Sequence, residues 1–232
     1  MNILVTGASK GIGKVIAEEL KSVGTVFVTG RNEEALKKSG CKYCVCDLSG
    51  NIKVLEDFIL ENNIDILINN AAEYRYDGLD DLKEEDIERL YRTNLIAPAK
   101  LTAIAIPHMK KSQWGRIINI GSISGVMGEA NASIYSSSKA GLLGLTKALA
   151  LELAVYNITV NTINPGWVQT RLGIESIEES DFTQDEIIEC VPQKRFIKPI
   201  EVAQLCKYLI SEDAKGITGQ GINLCAGLSV GI

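Results

Sequence analysis

Thr6-Gly7-Ala8-Ser9-Lys10-Gly11-Ile12-Gly13 follows directly on the apolar run Ile3-Leu4-Val5 and leads into a segment whose apolar residues, Val15, Ile16, Leu20 and Val23, recur at helical spacing. Strand, glycine-rich turn and helix therefore succeed one another within the first 23 residues. A turn of this kind at a helix start turns free backbone N–H groups and the positive helix end toward a pyrophosphate, and glycine lets the backbone come close. Glycine-rich turns are common in themselves. The agreement of all three parts is what points to a dinucleotide site rather than an ordinary turn.

Outward from this unit, short apolar runs alternate with longer segments of helical period, the pattern of a parallel sheet with crossover helices. Strands are predicted near 2–6, 25–29, 42–46, 64–68, 115–121, 158–163 and 221–224. Helices are predicted near 11–23, 32–38, 51–62, 84–111, 133–156 and 199–211. No linker, repeat or low-complexity tract divides the chain. The expectation is one α/β domain over 1–232, a Rossmann-like doubly wound parallel sheet of about seven strands with helices on both faces. The segment 164–198 is too long for a plain connection and carries seven acids between Arg171 and Cys190. It reads as a substrate lid at about 170–195, with two short helices suggested by Ile174 and Ile177 and by Ile187, Ile188 and Val191.

The 232 residues, 46% of them hydrophobic and 23% charged, are enough for a sizeable core and exclude a disordered or disulfide-stapled chain. A net charge of −5 and the lack of a basic stripe argue against nucleic acid as a partner. No apolar run is long enough to span a membrane, and the N-terminus lacks a basic signal region, so a cytoplasmic protein is expected. The six cysteines then read as reduced thiols. Cys41, Cys44 and Cys46 lack a fourth ligand, and with a single histidine in the chain no metal is expected.

The spacing G-x-x-x-G-x-G, with Asp47, Asn69-Asn70-Ala71, Asn94, Ser122, Tyr135-x-x-x-Lys139 and Pro165-Gly166 in order, resembles the short-chain dehydrogenase/reductases over almost the whole chain. The resemblance implies a cofactor site formed by Gly7, Ser9, Lys10, Gly11, Ile12, Gly13, Arg31, Asp47, Leu48, Asn70, Ala71, Tyr135, Lys139, Pro165, Gly166, Val168 and Thr170. In it Asp47 would meet the adenine, Asn70 and Ala71 would lie along the ribose, and Val168 and Thr170 would touch the carboxamide. After the second strand the chain reads Gly30-Arg31, where NAD-preferring relatives carry Asp at the position of Gly30. Two cations, Arg31 and Lys10, and no acid favour a 2′-phosphate and hence NADP(H). Arg31 stacked on adenine would suit either dinucleotide, which leaves NAD(H) as the alternative.

Tyr135 and Lys139, four apart on a helix, project from one face. A neighbouring ammonium stabilises a phenolate, so Tyr135 is expected to have a lowered pKa and to exchange a proton with a carbonyl or alcohol oxygen. Ser122 ends a strand, where ligands bind in open α/β sheets, and its hydroxyl can donate to a developing oxyanion. Ser124 reads by spacing as structural or as a support to Ser122. Asn94, a buried amide inside a helix ahead of Pro98, would by resemblance hold a water that relays protons to Lys139. Asn94, Ser122, Tyr135 and Lys139 are the candidate catalytic set.

Within the family the chain looks most like 3-oxoacyl-thioester reductases of the acyl-carrier-protein type, through Gly115-Arg-Ile-Ile-Asn-Ile-Gly-Ser122, Met127-Gly128 and Ile217-Thr-Gly-Gln-Gly221. A small ketone, sugar or steroid is the alternative substrate. Gln113 and Tyr156 stand where members that use acyl-carrier protein present arginines, and Ala72 and Ala226 stand where glycine is usual. The connection from Arg31 to Asp47 is about two helical turns shorter than usual. A non-catalytic NADP-binding scaffold would need no such four-residue set, and 232 residues leave no room for the second domain of a sugar-nucleotide epimerase. Small and apolar residues of the helices at 84–111 and 133–156, among them Ala97, Leu101, Ala105, Leu142 and Ala148, exceed one buried face, and the resemblance implies a homotetramer, with a dimer as fallback.

Overall fold

Both faces of strand β1, Asn2–Thr6, are covered: Ile3 and Val5 enter one apolar cluster and Leu4 enters another. That is why the strand reads as a continuous apolar run rather than an alternating one. The computed structural model describes residues 1–178 and 182–230. After β1 come α1 (Gly11–Leu20), β2 (Thr25–Gly30), α2 (Glu33–Lys38), β3 (Lys42–Val45), α3 (Lys53–Asn62), β4 (Ile66–Asn69), α4 (Glu84–Tyr91) and α5 (Ala97–Ser112). They are followed by β5 (Gly115–Ile120), α6 (Ser124–Met127), α7 (Ser133–Leu153), β6 (Ile158–Pro165), α8 (Arg171–Glu178), α9 (Gln184–Cys190), α10 (Pro199–Leu209) and β7 (Gly221–Leu224).

The strands form one parallel sheet in the order β3-β2-β1-β4-β5-β6-β7. Ile16 and Leu20 of α1 and Val202, Cys206 and Leu209 of α10 pack on one face against Ile3, Val5, Ile118 and Ile163. Leu55 and Ile59 of α3, Leu101 and Met109 of α5 and Leu153 of α7 pack on the other against Leu4, Leu67, Ile117 and Val160. The seven strands and the doubly wound architecture are those read from the sequence. The order reverses between β1 and β4, and a cleft opens there at the carboxyl ends of the strands, as this topology requires.

Two differences bear on the site. The helix predicted over 84–111 is interrupted: Arg92–Ile96 form a π turn in which the Ala97 N–H donates to the Arg92 carbonyl five residues back. Pro98 has no N–H to continue a regular ladder, and the extra residue swings Asn94 inward to full burial. Sequence periodicity also misses the short helix α6 between Ser122 and Tyr135. A buried polar ladder crosses the sheet beneath the cleft, Asn69 Nδ2 to Asn119 Oδ1 at 2.9 Å, Asn119 Nδ2 to Thr146 Oγ1 at 2.9 Å, and Thr146 to Thr162 at 2.7 Å. Such a ladder fixes strand ends in one register, because an unpaired member would cost about 1–3 kcal/mol.

Among the described residues no helix is long and apolar enough to cross a membrane, and no group of three or more metal-ligating side chains converges. Cys44 and Cys46 are free and buried, and burial pushes the Cys46 thiol up to about 11. Ala226, where glycine was noted as usual, is held at φ +54°, a strain of about 1–2 kcal/mol for a residue with a Cβ.

Candidate active site

Gly7 leaves β1 at φ +67°, and a Cβ there would come within 2.7 Å of Ala71 Cα, so only glycine allows the ends of β1 and β4 to close on each other. Thr6 Oγ1 accepts from the N–H groups of Asn70 and Ala71 at 2.9 and 3.0 Å, and Asn70 Nδ2 donates to the Thr6 carbonyl at 2.8 Å. These bonds hold the glycine turn open beneath the first turn of α1. No side chain caps that helix, and its N-terminus faces the cleft through Gly11 and Ile12. A cradle too tight for any Cβ and an uncapped helix end suit a pyrophosphate.

The cleft holds about 450 Å³. Of the predicted cofactor residues, Gly7, Ser9, Lys10, Gly11, Ile12, Arg31, Asp47, Leu48, Asn70, Ala71, Tyr135, Lys139, Pro165, Gly166, Val168 and Thr170 all line it. Gly13 does not. It sits behind the turn, where a Cβ would fall 2.6 Å from the Gly7 carbonyl oxygen, and its part is to let α1 approach β1. At the open end of β2 a Cβ on Gly30 would reach within 3.2 Å of Ser9 Oγ, while Arg31 and Asp47 approach at 3.9 Å with both side chains about half exposed. So loose a pair contributes little to stability and leaves the guanidinium available to a ligand.

Ser122, Tyr135 and Lys139 meet at the other end. Helix α7 carries Tyr135 and Lys139 one turn apart, with Lys139 Nζ 5.7 Å from the Tyr135 ring centre and donating at 2.8 Å to the Ile120 carbonyl at the end of β5. Burial of Lys139 lowers it to about 8. The expected lowering of Tyr135 is not found: burial pushes the phenol up to about 12, Ser122 beside it works the other way, and the Glu129 charge adds to the rise. Desolvation outweighs the ammonium because Nζ is turned to Ile120 rather than to the phenol oxygen. At neutral pH Tyr135 is thus held as an acid.

Asn94 does not line the cleft. Its Nδ2 donates to the Glu73 carbonyl at 2.8 Å and to Ser138 Oγ at 3.2 Å, and its Oδ1 accepts from the Glu73 N–H at 2.8 Å. Both ends of the carboxamide are engaged, so Asn94 braces the loop after β4 against α7. Ser124, read as structural, accepts from Ser122 Oγ at 3.1 Å and donates to Glu129 Oε2 at 2.6 Å. Glu129 Oε1 also accepts from the Tyr74 hydroxyl at 2.8 Å, and Tyr74 stands edge-on to Tyr135 with ring centres 4.9 Å apart. Tyr74 and Glu129 line the cleft, and neither stands out in the sequence motifs. The signal available was a lone acid six residues before Tyr135 in a loop that follows a strand end.

The lid residues divide. Leu172, Ser176 and Phe182 line the cleft. Ile177 packs with Ile187 and Phe196, and Val191 lies in the main core. Residues 179–181 of the predicted lid lie outside the described residues.

An open parallel sheet with a pyrophosphate cradle at its reversal point and a Ser/Tyr/Lys group beside it defines a dinucleotide-dependent oxidoreductase scaffold. A family model described as short chain dehydrogenase matches residues 1–181. The 3-oxoacyl-acyl-carrier-protein reductase FabG of Aquifex aeolicus (strain VF5) is 37% identical over 97% of this chain and 96% of its own. The uncharacterized oxidoreductase YxjF of Bacillus subtilis (strain 168) is 36% identical with the same coverage. Among solved structures, a tryptophan variant of actinorhodin polyketide ketoreductase with NADPH superposes with a TM-score of 0.92 at 34% identity, covering 99% of this chain and 97% of that one. The chain belongs to the short-chain dehydrogenase/reductase family.

Proposed function

We propose that the protein is an NADP(H)-dependent ketoreductase whose substrate is a 3-oxoacyl thioester or a related neutral 3-oxo compound. The observation that carries this reading is the convergence of Ser122, Tyr135 and Lys139 at one end of the same cleft whose other end is the glycine cradle. Support comes from the relatives: a 3-oxoacyl reductase over nearly the full length, and a polyketide ketoreductase with NADPH.

Gly7 to Ile12, Asp47, Leu48, Asn70 and Ala71 would hold a nicotinamide dinucleotide, which when bound would provide the hydride. The chain's own groups do the rest. Ser122 Oγ donates a hydrogen bond to the substrate oxygen, and Tyr135, protonated at neutral pH, gives that oxygen its proton. Lys139 holds positive charge beside the phenol as the proton leaves, and Asn94 fixes the loop and helix that carry these groups. A raised phenol pKa suits an acid, the part Tyr135 plays in carbonyl reduction.

Cofactor choice rests on Ser9, Lys10, Gly30 and Arg31. Arg31→Ala should weaken NADPH binding by about 1–3 kcal/mol, the range for a charge-assisted hydrogen-bond pair, and leave NADH binding nearly unchanged in fluorescence titrations. Equal loss for both would mean that Arg31 stacks on adenine instead of gripping a phosphate.

The segment 170–195 is proposed as the wall and lid of the substrate end, through Leu172 and Phe182. Assembly as a homotetramer is proposed on the exposed apolar stripe of α7 and the turn after it. Leu142, Leu101, Ala97 and Ala105 are taken up by the core or nearly so, but Ala140, Ala148, Leu151 and Val155 remain exposed, Leu151 at 84% and Val155 at 78%. Delivery by an acyl-carrier protein finds no arginine at Gln113 or Tyr156. Lys110 Nζ does sit 4.8 Å above the Tyr156 ring, so that surface still carries a cation.

A further inference from the structure

Glu129 is a cleft carboxylate whose partners among the described residues are hydroxyls. Among the described residues none places a charged nitrogen within ion-pair distance of it, and it is only partly open to solvent. Two hydroxyls, of Ser124 and Tyr74, donate one hydrogen bond to each of its oxygens. A carboxylate can accept about four, so half of its capacity remains, and Glu129 lines the cleft. It stands two hydrogen bonds from Ser122 through Ser124, and against Tyr74, which abuts Tyr135. The reacting carbonyl must sit between Ser122 and Tyr135, so groups flanking that carbonyl lie within reach of Glu129.

The other charges of the cleft wall are placed differently. Glu73 is paired with Arg89 at 2.8 Å, and Arg171 stands on α8 among the lid residues. Lys139, buried in the cleft wall, turns its ammonium to the Ile120 carbonyl, and of the acids it is Glu129 whose charge is felt at the Tyr135 hydroxyl. Holding an unpaired carboxylate in a partly desolvated cleft is costly unless a ligand uses it. We infer that Glu129 is the specificity-determining residue of the substrate end, sorting ketones by charge: it favours a carbonyl flanked by a cationic or hydrogen-bond-donating group and rejects one flanked by a carboxylate. This rests on the ketoreductase reading and sharpens it, because esters and thioesters of 3-oxo acids are admitted and the free acids are excluded.

Three 3-oxobutanoates with the same ketone test it: the choline ester, the ethyl ester and the free anion, assayed for kcat/KM with NADPH in the wild type and in Glu129→Gln. Gln is isosteric, its amide oxygen accepting from Ser124 while its NH2 donates to a Tyr74 hydroxyl turned round to accept, so the variant removes charge rather than shape. The wild type should prefer the choline ester to the anion by roughly a hundredfold, and Glu129→Gln should shrink that ratio at least tenfold, as expected for one charge several ångströms away in a half-wet cleft. A ratio unchanged by the substitution, even with all three rates lowered together, gives Glu129 a purely structural role and overturns the inference. Absence of turnover for all three in the wild type, with NADPH bound, overturns the inference that such esters are admitted, while the ketoreductase reading falls only if neutral ketones and 3-oxo thioesters are refused as well.

Discussion

Tyr135→Phe should lower kcat about a thousandfold while leaving NADPH affinity within twofold of wild type. The substitution removes one oxygen and keeps the ring that packs edge-on against Tyr74, so the wall of the cleft stays in place. What disappears is the proton that must reach the substrate oxygen, and a positioned acid of this kind contributes about 10²- to 10⁴-fold. Because burial holds the phenol near 12, the reduction rate of the wild type should show no loss attributable to Tyr135 between pH 6 and 9. A variant that keeps most of its rate would remove Tyr135 from the chemistry.

Lys139→Met should likewise abolish turnover, and it carries a stability signature that a surface lysine would not. Lys139 is 2% exposed, and burial lowers its ammonium from the usual 10.5 to about 8. Below pH 8 the folded protein holds a buried charge at a penalty of about 3 kcal/mol, from the conversion of roughly 1.4 kcal/mol per unit. Above pH 10.5 the group is neutral in both folded and unfolded chains and the penalty is gone. Wild-type stability should therefore rise relative to Lys139→Met by about 3 kcal/mol as pH climbs from 8 to 10.5. Losing the bond to the Ile120 carbonyl shifts the whole difference by a constant and does not alter this slope. Urea denaturation of both proteins across that range measures it. A flat difference would mean that Lys139 is not buried as a charge.

Much of this was legible because it is local. The strand, turn and helix around Gly7 to Gly13 are adjacent in sequence, and the four-residue step from Tyr135 to Lys139 is fixed by helix geometry. The cleft residues from Asp47 to Thr170 follow from motif order once the sheet topology is known. What the sequence concealed depends on burial and on partners far along the chain. The state of Tyr135 is set by desolvation and by the turning of Lys139 toward Ile120, neither of which spacing reveals. Gly13 and Asn94 lie behind the cleft lining, held by close-packed neighbours that motif spacing does not show. Arg116 was read only as part of a scaffold motif. It proves to be fully buried, bonded to the Asn157 carbonyl at 3.0 Å and Glu212 at 3.1 Å and stacked over Trp114. Glu129 and Tyr74 lie 55 residues apart, and only the folded chain brings them together beside Ser122.

The measurement that bears most directly on the proposed function follows the transferred atom. NADPH deuterated at the reactive carbon C4 of the nicotinamide is mixed with ethyl 3-oxobutanoate and enzyme, and the product is analysed by mass and magnetic resonance. The expected result is one deuterium on C3 of ethyl 3-hydroxybutanoate for each NADP formed, with no transfer in Tyr135→Phe. Binding of NADPH without label transfer to this ester, or to any of a panel of neutral ketones and 3-oxo thioesters, would contradict the assignment of the cleft to carbonyl reduction.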